Sequence, residues 1–166
     1  MIEDQKRAEE AKLHVDPFRV YWKSLVDQVY KFDGFEALSH QEKVFWCAHQ
    51  ISAEVLNGGW YQYFYNSSGA HFAFSLVALQ EIGATKTIPL LTQAKRILFG
   101  RSDVPEDSLS RRLAMPPLPE EDSQTEPDWS VELSKLDSRF YEDPSEIDTM
   151  LVRYAAENSL FPFTIA

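Results

Sequence analysis

Residues 54–69 read EVLNGGWYQYFYNSSG, and this stretch decides how the rest of the chain is organised. A periodic apolar segment runs into the glycine pair Gly58 and Gly59, and five aromatic residues occupy the next six positions. Glycine readily takes the left-handed backbone that ends a helix, and Asn57 is of the next most tolerant type. We therefore predict that a helix ends here, that a short aromatic turn follows, and that its rings lie wedged between helices.

Apolar spacing in the rest of the chain predicts helices, and no segment shows the alternation typical of a strand. Asp16 before Pro17 is typical of a helix start, Ser39 with Glu42 has the form of a capping box, and Thr85 or Thr87 is expected to cap a later helix. We predict one all-α domain, residues 1–166, of about six to eight helices. Core helices are expected near residues 17–32, 40–57, 70–82, 87–99 and 144–158, with further helices over 105–114 and from 130.

Composition excludes several classes of protein. The length of 166 residues fits one domain with a sizeable core. The single cysteine, Cys47, excludes an internal disulfide framework, and the four histidines lack the spacing of a zinc site, so we expect no cofactor or metal. Residues 1–15 form a charged lead-in without the apolar region of a secretory signal, and no run approaches the ~20 apolar residues of a membrane span. A cytoplasmic location is the expectation.

The net charge of −10 lies entirely within residues 103–148, which hold fourteen acidic and four basic residues. Such a field attracts basic proteins, which are the expected partners. It repels nucleic acid and anionic membranes, so we expect neither of these two as a partner. Residues 101–128 are predicted to be a proline-rich acidic connection, with 120–128 the segment most prone to disorder. Acids on or beside predicted helices could form a partner-binding surface, although net acidity also serves solubility. They are Glu132, Asp137, Glu142, Asp143, Glu146 and Asp148.

The polar residues around the glycine pair have a functional and a structural interpretation. Asn57, Gln62 and Asn66 could bind a ligand or partner, or their amides could cap helix ends and fix a tight turn. Glu54 could be a buried acid held by Gln62 or by exposed backbone amides, since a buried carboxylate without partners is costly. Both interpretations stay open, and the structural one is favoured.

No catalytic arrangement is visible. Cys47 and His49 are two residues apart on a helix, so their side chains point in different directions. Asn57-Gly58-Gly59 follows a helix and matches neither the Walker pattern nor the dinucleotide fingerprint. The sequence therefore favours a protein that is not an enzyme, and an enzyme with a pocket at residues 54–69 is the third hypothesis.

The central stretch resembles a bacterial family of small all-helical proteins best known for an acidic DNA mimic. The resemblance covers residues 38–100 well and the last helices more loosely. It implies a homodimer whose surface carboxylates stand in for phosphates and occupy the DNA-binding face of a transcription factor. The matching residues are Glu54, Val55, Asn57, Gly58, Gly59, Gln62, Phe64, Asn66 and Gly69, followed by Ala78, Leu79, Ile82, Gly83 and Ala84.

Charge and resemblance together favour a non-enzymatic acidic protein that binds a basic protein, and the resemblance implies that it does so as a DNA mimic directed at a transcription regulator. The alternative is an immunity or antitoxin-like protein that neutralises a basic toxin through the same charge. Mimicry requires rigid acids and competition with DNA, whereas immunity requires a toxin.

Overall fold

A computed structural model describes residues 16–161, and within that range the chain is all-α, as predicted, with no β-strand. The lead-in at 1–15 lies outside the described residues, as do Pro162 and Phe163. No helix between residues 16 and 161 combines the length and apolarity needed to cross a membrane. The α-helices are α1 (Pro17–Lys31), α2 (His40–Tyr65), α3 (Phe72–Ile82), α4 (Thr87–Phe99), α5 (Ser108–Ala114), α6 (Asp128–Glu142) and α7 (Glu146–Glu157), with 3₁₀ helices at Phe35–Ala37 and Ser67–His71.

The chain divides into two compact units, one formed by residues 1–43 with 152–166 and the other by residues 44–151. In the first unit, α1 begins as predicted, because the Asp16 carboxylate accepts a hydrogen bond from the Phe18 N–H (3.1 Å). Phe161 meets the ring of Tyr21 edge-on, with 5.9 Å between centroids.

The start of α2 confirms the predicted capping box. The Ser39 N–H donates to Glu42 Oε2 (2.7 Å), and the Glu42 N–H donates back to Ser39 Oγ (3.2 Å). Two amides that a helix start leaves without intrahelical partners are thereby satisfied.

The predicted aromatic turn at residues 60–65 is wrong, because these residues are helical. α2 breaks only at Gly58 and Gly59 and then continues to Tyr65. Trp60, Tyr63 and Phe64 are fully buried, and their spacing of three and four is that of one helix face. The density of aromatic residues concealed an ordinary helical period.

In the second unit, α3 packs against α4, and α4 packs along α6. Trp60 lies in the core of this unit, with its ring edge-on to Phe140 at a centroid distance of 5.6 Å. Phe64 meets Phe99 in the same way at 5.3 Å. The second half of α2 is thus buried among the side chains of α4 and α6.

Several helix starts differ from the sequence-based expectation in position or in cap: α3 begins at Phe72, two residues after 70, and α6 begins at Asp128, two residues before 130. Neither Thr85 nor Thr87 caps α4: its N-cap is Lys86, which makes no side-chain cap, and Thr87 Oγ1 instead donates to Glu146 Oε2 (2.8 Å). α5 begins at Ser108 rather than 105, because the Asp107 carboxylate accepts from the Ser110 N–H (2.8 Å). α7 begins at Glu146, two residues later than predicted.

Candidate functional site

The break in α2 depends on the backbone of two glycines. Gly59 has φ +75°, a conformation that favours glycine, whereas Gly58 has φ −157° and ψ 22°, outside the positive-φ region. A Cβ added at Gly59 would lie 2.6 Å from Asp137 Oδ2. Gly59 is therefore required both for its backbone conformation and for the close approach of α6.

Glu54 bridges the break from its N-terminal side. Its Oε2 accepts hydrogen bonds from Gln62 Nε2 (2.7 Å) and Asn66 Nδ2 (2.9 Å). Of the two partners considered for Glu54, the Gln62 amide is the one found and Asn66 joins it, although Glu54 is half-buried rather than buried. These bonds tie the last turn before the break to the helix after it. This contact favours a structural role for the cluster over a ligand-binding role.

Asp137 on α6 secures the other side of the break. Its Oδ1 accepts a hydrogen bond from the Trp60 N–H (2.8 Å), an amide that the broken helix leaves without an intrahelical carbonyl. Burial raises the pKa of the Asp137 carboxyl, and the Trp60 N–H opposes that shift. Asp137 thus acts as a cap supplied from a distant helix.

Arg111 on α5 holds the C-terminal end of the same segment. Its side chain is fully buried, and Nε donates to Phe64 O (2.7 Å) while Nη2 donates to Asn66 O (2.8 Å). A guanidinium is well suited to the carbonyls at a helix C-terminus, where partial negative charge accumulates. A Cβ at Gly69 would lie 2.6 Å from Phe64 O and 2.8 Å from Arg111 Nε, so this glycine leaves room for the contact.

The predicted motif residues therefore have different surroundings. Glu54, Gln62 and Asn66 come together in one hydrogen-bonded cluster, whereas Asn57 is exposed and takes no part in it. Sequence reasoning missed Arg111 as a structural residue, and nothing in its local sequence separates it from its neighbour Arg112.

Half of the carboxylates predicted to form a binding surface are exposed: Glu132, Glu142 and Asp143. Two of these pair with lysine, Glu132 with Lys135 (2.6 Å) and Asp143 with Lys86 (2.8 Å). Glu142 makes no ion pair with any described residue.

The other half are drawn inward, which corrects their placement on an exposed surface. Asp137 is half-buried against Trp60. Glu146 is buried, and its two oxygens accept from the Lys86 N–H (3.2 Å) and Thr87 Oγ1. Asp148 is half-buried, and its Oδ1 has no hydrogen-bond partner among the described residues. A basic partner has little access to such oxygens.

Residues 113–134 hold more acidic residues than any other stretch of the sequence between two consecutive basic residues, here Arg112 and Lys135. This segment contains no lysine or arginine and holds six acidic residues, all of them exposed. A turn organises the loop before α6, because the Ser123 N–H donates to Glu120 O (2.9 Å) and Ser123 Oγ to Thr125 O (2.8 Å). The six acids are Glu120, Glu121, Asp122, Glu126, Asp128 and Glu132.

The titratable residues of the core show no catalytic arrangement within residues 16–161. Cys47 is buried, and burial lowers the pKa of the His49 imidazole, an effect that the Asp148 carboxylate opposes. No group of three His, Cys, Asp or Glu side chains in this range is arranged to hold a metal ion.

Among the comparisons with known proteins, only the comparison with family models gives a match. No curated protein and no solved structure matches this chain significantly. A family model described as DMP19-like protein matches residues 36–158, well over half of the 166 residues, and confirms the resemblance to the DNA-mimic family. The segment from the capping box to the end of α7 thus identifies the chain as a member of the DMP19-like protein family.

Proposed function

We propose that this protein is a non-enzymatic binding protein that presents carboxylates to a basic protein partner, as a mimic of DNA directed at a DNA-binding transcription regulator. The observation that carries the proposal is the exposed acidic segment 113–134, which holds six carboxylates and no basic residue, with Glu132 paired to Lys135 just outside it. Membership in a family associated with DNA mimicry supports it.

Carboxylates can replace phosphates because a DNA-binding surface recognises closely spaced negative charge. Duplex DNA carries one charge per ~1.7 Å of its axis, and lysine and arginine side chains bind those charges in a salt-dependent manner. In this protein the acids are concentrated in sequence rather than interleaved with bases, so their fields add. A regulator that binds this surface has its own DNA-binding face occupied.

Local contacts hold part of the acidic segment in place. Ser130 Oγ donates to Glu126 Oε1 (2.8 Å), which links the loop to the first turn of α6. Asp128 and Glu132 lie on α6 itself, and the acid at the helix start is favoured by the helix dipole. Glu142, at the end of the same helix, extends the exposed acidic residues beyond this segment.

The test is capture of partners from a bacterial lysate on the immobilised protein, followed by elution with rising salt or with duplex DNA. We expect a basic DNA-binding protein that is retained at low salt, released by salt and displaced by DNA. The triple variant Glu120→Gln, Glu121→Gln, Asp122→Asn should retain much less of it.

A matched control neutralises the same number of exposed acids outside residues 103–148, by Asp33→Asn, Glu81→Gln and Glu157→Gln. This variant should retain the partner almost as the wild type does. If both triple variants bind alike, or if DNA fails to displace the partner, mimicry is wrong. A captured basic toxin that DNA does not displace would favour the immunity or antitoxin-like function instead.

A further inference from the structure

An open groove of about 940 Å³ lies beside the break in α2, within the unit formed by residues 44–151. One wall comes from residues 57–66 of α2, and the other comes from α5 and the loop that follows it. The Glu54 cluster and Arg111 explain why this region is rigid, but neither they nor the acidic segment account for the side chains that line the groove.

The α5 wall exposes large apolar side chains. Leu109 is 67% exposed and Leu113 is 77% exposed, and the two lie one helical turn apart. Leu118, in the loop beyond α5, is 62% exposed and lines the same groove. Grouped apolar exposure of this kind marks a surface that binds another molecule, whereas isolated exposed leucines are ordinary.

Arg112 is the one charged residue that lines the groove. Its guanidinium lies 4.2 Å from the centroid of the Tyr65 ring, and its Nε donates to Tyr65 O (3.0 Å). The two terminal nitrogens make no ion pair with any residue in 16–161, although the protein has 26 acidic residues and only 16 lysines and arginines. The cation is therefore held in a fixed orientation with its terminal nitrogens available for a carboxylate.

Side-chain amides line the α2 wall. Gln62 and Asn66 use their amino groups on Glu54, and no described residue donates a hydrogen bond to their carbonyl oxygens. Asn57 is exposed at the same wall and can offer both a donor and an acceptor. Such amides can pair with the N–H and C=O groups of an extended peptide backbone.

We propose that this groove binds a peptide segment with apolar side chains and a carboxylate, and that Arg112 binds the carboxylate. This ligand complements the groove. The leucines of the groove can contact the apolar side chains of the peptide, the side-chain amides can pair with its backbone, and the oriented Arg112 cation can pair with its single negative charge. The groove adjoins the acidic segment, because Leu113 and Leu118 belong to residues 113–134, but it requires an anionic ligand rather than a basic protein. Either proposal can therefore fail without the other.

The test is a titration followed by ¹H–¹⁵N correlation spectra of the full-length protein. The probe is the peptide acetyl-Leu-Ala-Leu with a free terminal carboxylate, compared with the same peptide as its terminal carboxamide. We expect the free acid to shift the signals of Tyr65, Leu109, Arg112, Leu113 and Leu118, and to bind about tenfold more tightly than the carboxamide, because a hydrogen bond to a charged group is lost in the latter.

Variants separate a role in binding from a role in folding. Arg112→Gln should abolish the preference for the free acid while leaving carboxamide binding unchanged. Arg139→Gln removes another exposed arginine, on α6, and should leave both affinities unchanged. Leu113→Asn, at a highly exposed position, should weaken both peptides without altering the rest of the spectrum.

Three results would overturn the proposal. Shifts confined to residues outside the groove would show that the peptide binds elsewhere, and equal affinities for the acid and the carboxamide would remove the role of Arg112. A protein that sediments as a dimer in its wild-type form and as a monomer in the Leu113→Asn variant would show that a second copy of the chain covers this surface.

Discussion

At the level of single residues, the structure separates two neighbouring glycines that the sequence presents as equivalent. Gly59 has a positive φ and faces the Asp137 carboxylate, whereas Gly58 has a negative φ and faces the Gln62 side chain, whose amide is bonded to Glu54. We expect Gly59→Ala to lower the free energy of unfolding by about 2 kcal/mol or more, because backbone strain and the loss of room for Asp137 act together. Urea unfolding of the variant and the wild type measures the difference.

Gly34 provides a control for the backbone contribution alone. It also has a positive φ, +81°, but a Cβ there would meet nothing within 4 Å. Gly34→Ala should therefore cost only the strain of a backbone region that is essentially restricted to glycine (φ +81°, ψ 176°), about 1–3 kcal/mol, and less than Gly59→Ala costs. Equal losses in the two variants would mean that the contact between Gly59 and Asp137 has no energetic importance.

At the level of elements, the sequence predicted helices well and the connections between them poorly. The cap of α1 and the apolar stripe of α4 can both be recognised in the sequence. The spacing of three and four residues is visible without tertiary information. The break in α2 is different, because it is stabilised by residues 45 to 77 positions away, Arg111 and Asp137. Contacts at that separation leave no local pattern.

One tertiary feature was nevertheless present in the sequence. Asp137 falls between Leu136 and Phe140 on the buried stripe of α6, in a position where an apolar residue is expected. An acid on an apolar stripe indicates a specific internal partner, which proves to be the Trp60 N–H. A count of acidic residues along the sequence does not reveal this internal role of Asp137, because it does not assign the acids to helix faces.

The contact between α6 and α2 also predicts a dependence on pH. The native state raises the pKa of Asp137 above the value of about 3.9 for an unfolded chain, so it binds the proton more tightly than the unfolded state does. Its contribution to stability is therefore present below about pH 3.9 and is lost as pH rises through the native pKa. Asp137→Asn keeps an oxygen for Trp60 and does not titrate, so the wild type should gain stability relative to this variant between pH 7 and pH 4.

Asp27 serves as a control of opposite sign. A hydrogen bond from Lys31 lowers its pKa in the native state, so its contribution to stability is present at higher pH and lost on acidification. Relative to Asp27→Asn, the wild type should keep its stability down to about pH 5 and lose it mainly below about pH 3.9, so a range from pH 7 to about pH 2 covers both effects. Chemical unfolding of both variants across this range checks both slopes, and a flat difference for Asp137→Asn would contradict the effect of burial on its carboxyl.

At the level of the whole molecule, the distribution of charge matters more than its sum. Residues 1–102 contain equal numbers of acids and bases, so the net charge of −10 is the charge of residues 103–148. The inward-facing carboxylates of that segment serve the fold, through Trp60 and the start of α4. The exposed ones in 113–134 have no basic residue in the same segment and repel each other.

That repulsion predicts a stability change that depends on salt. Glu120→Gln with Glu121→Gln should raise the melting temperature by about 1–3 °C at 10 mM NaCl, where the Debye length is ~30 Å, and the gain should shrink strongly at 1 M NaCl, where it is ~3 Å. The matched pair Asp33→Asn with Glu157→Gln removes two exposed acids from parts of the chain whose charges balance, and should gain less. A gain that persists at 1 M NaCl, or that is equal in the two pairs, would show that the acidic segment carries no electrostatic cost. Such a cost is expected of a surface retained for binding a basic partner rather than for the stability of the fold.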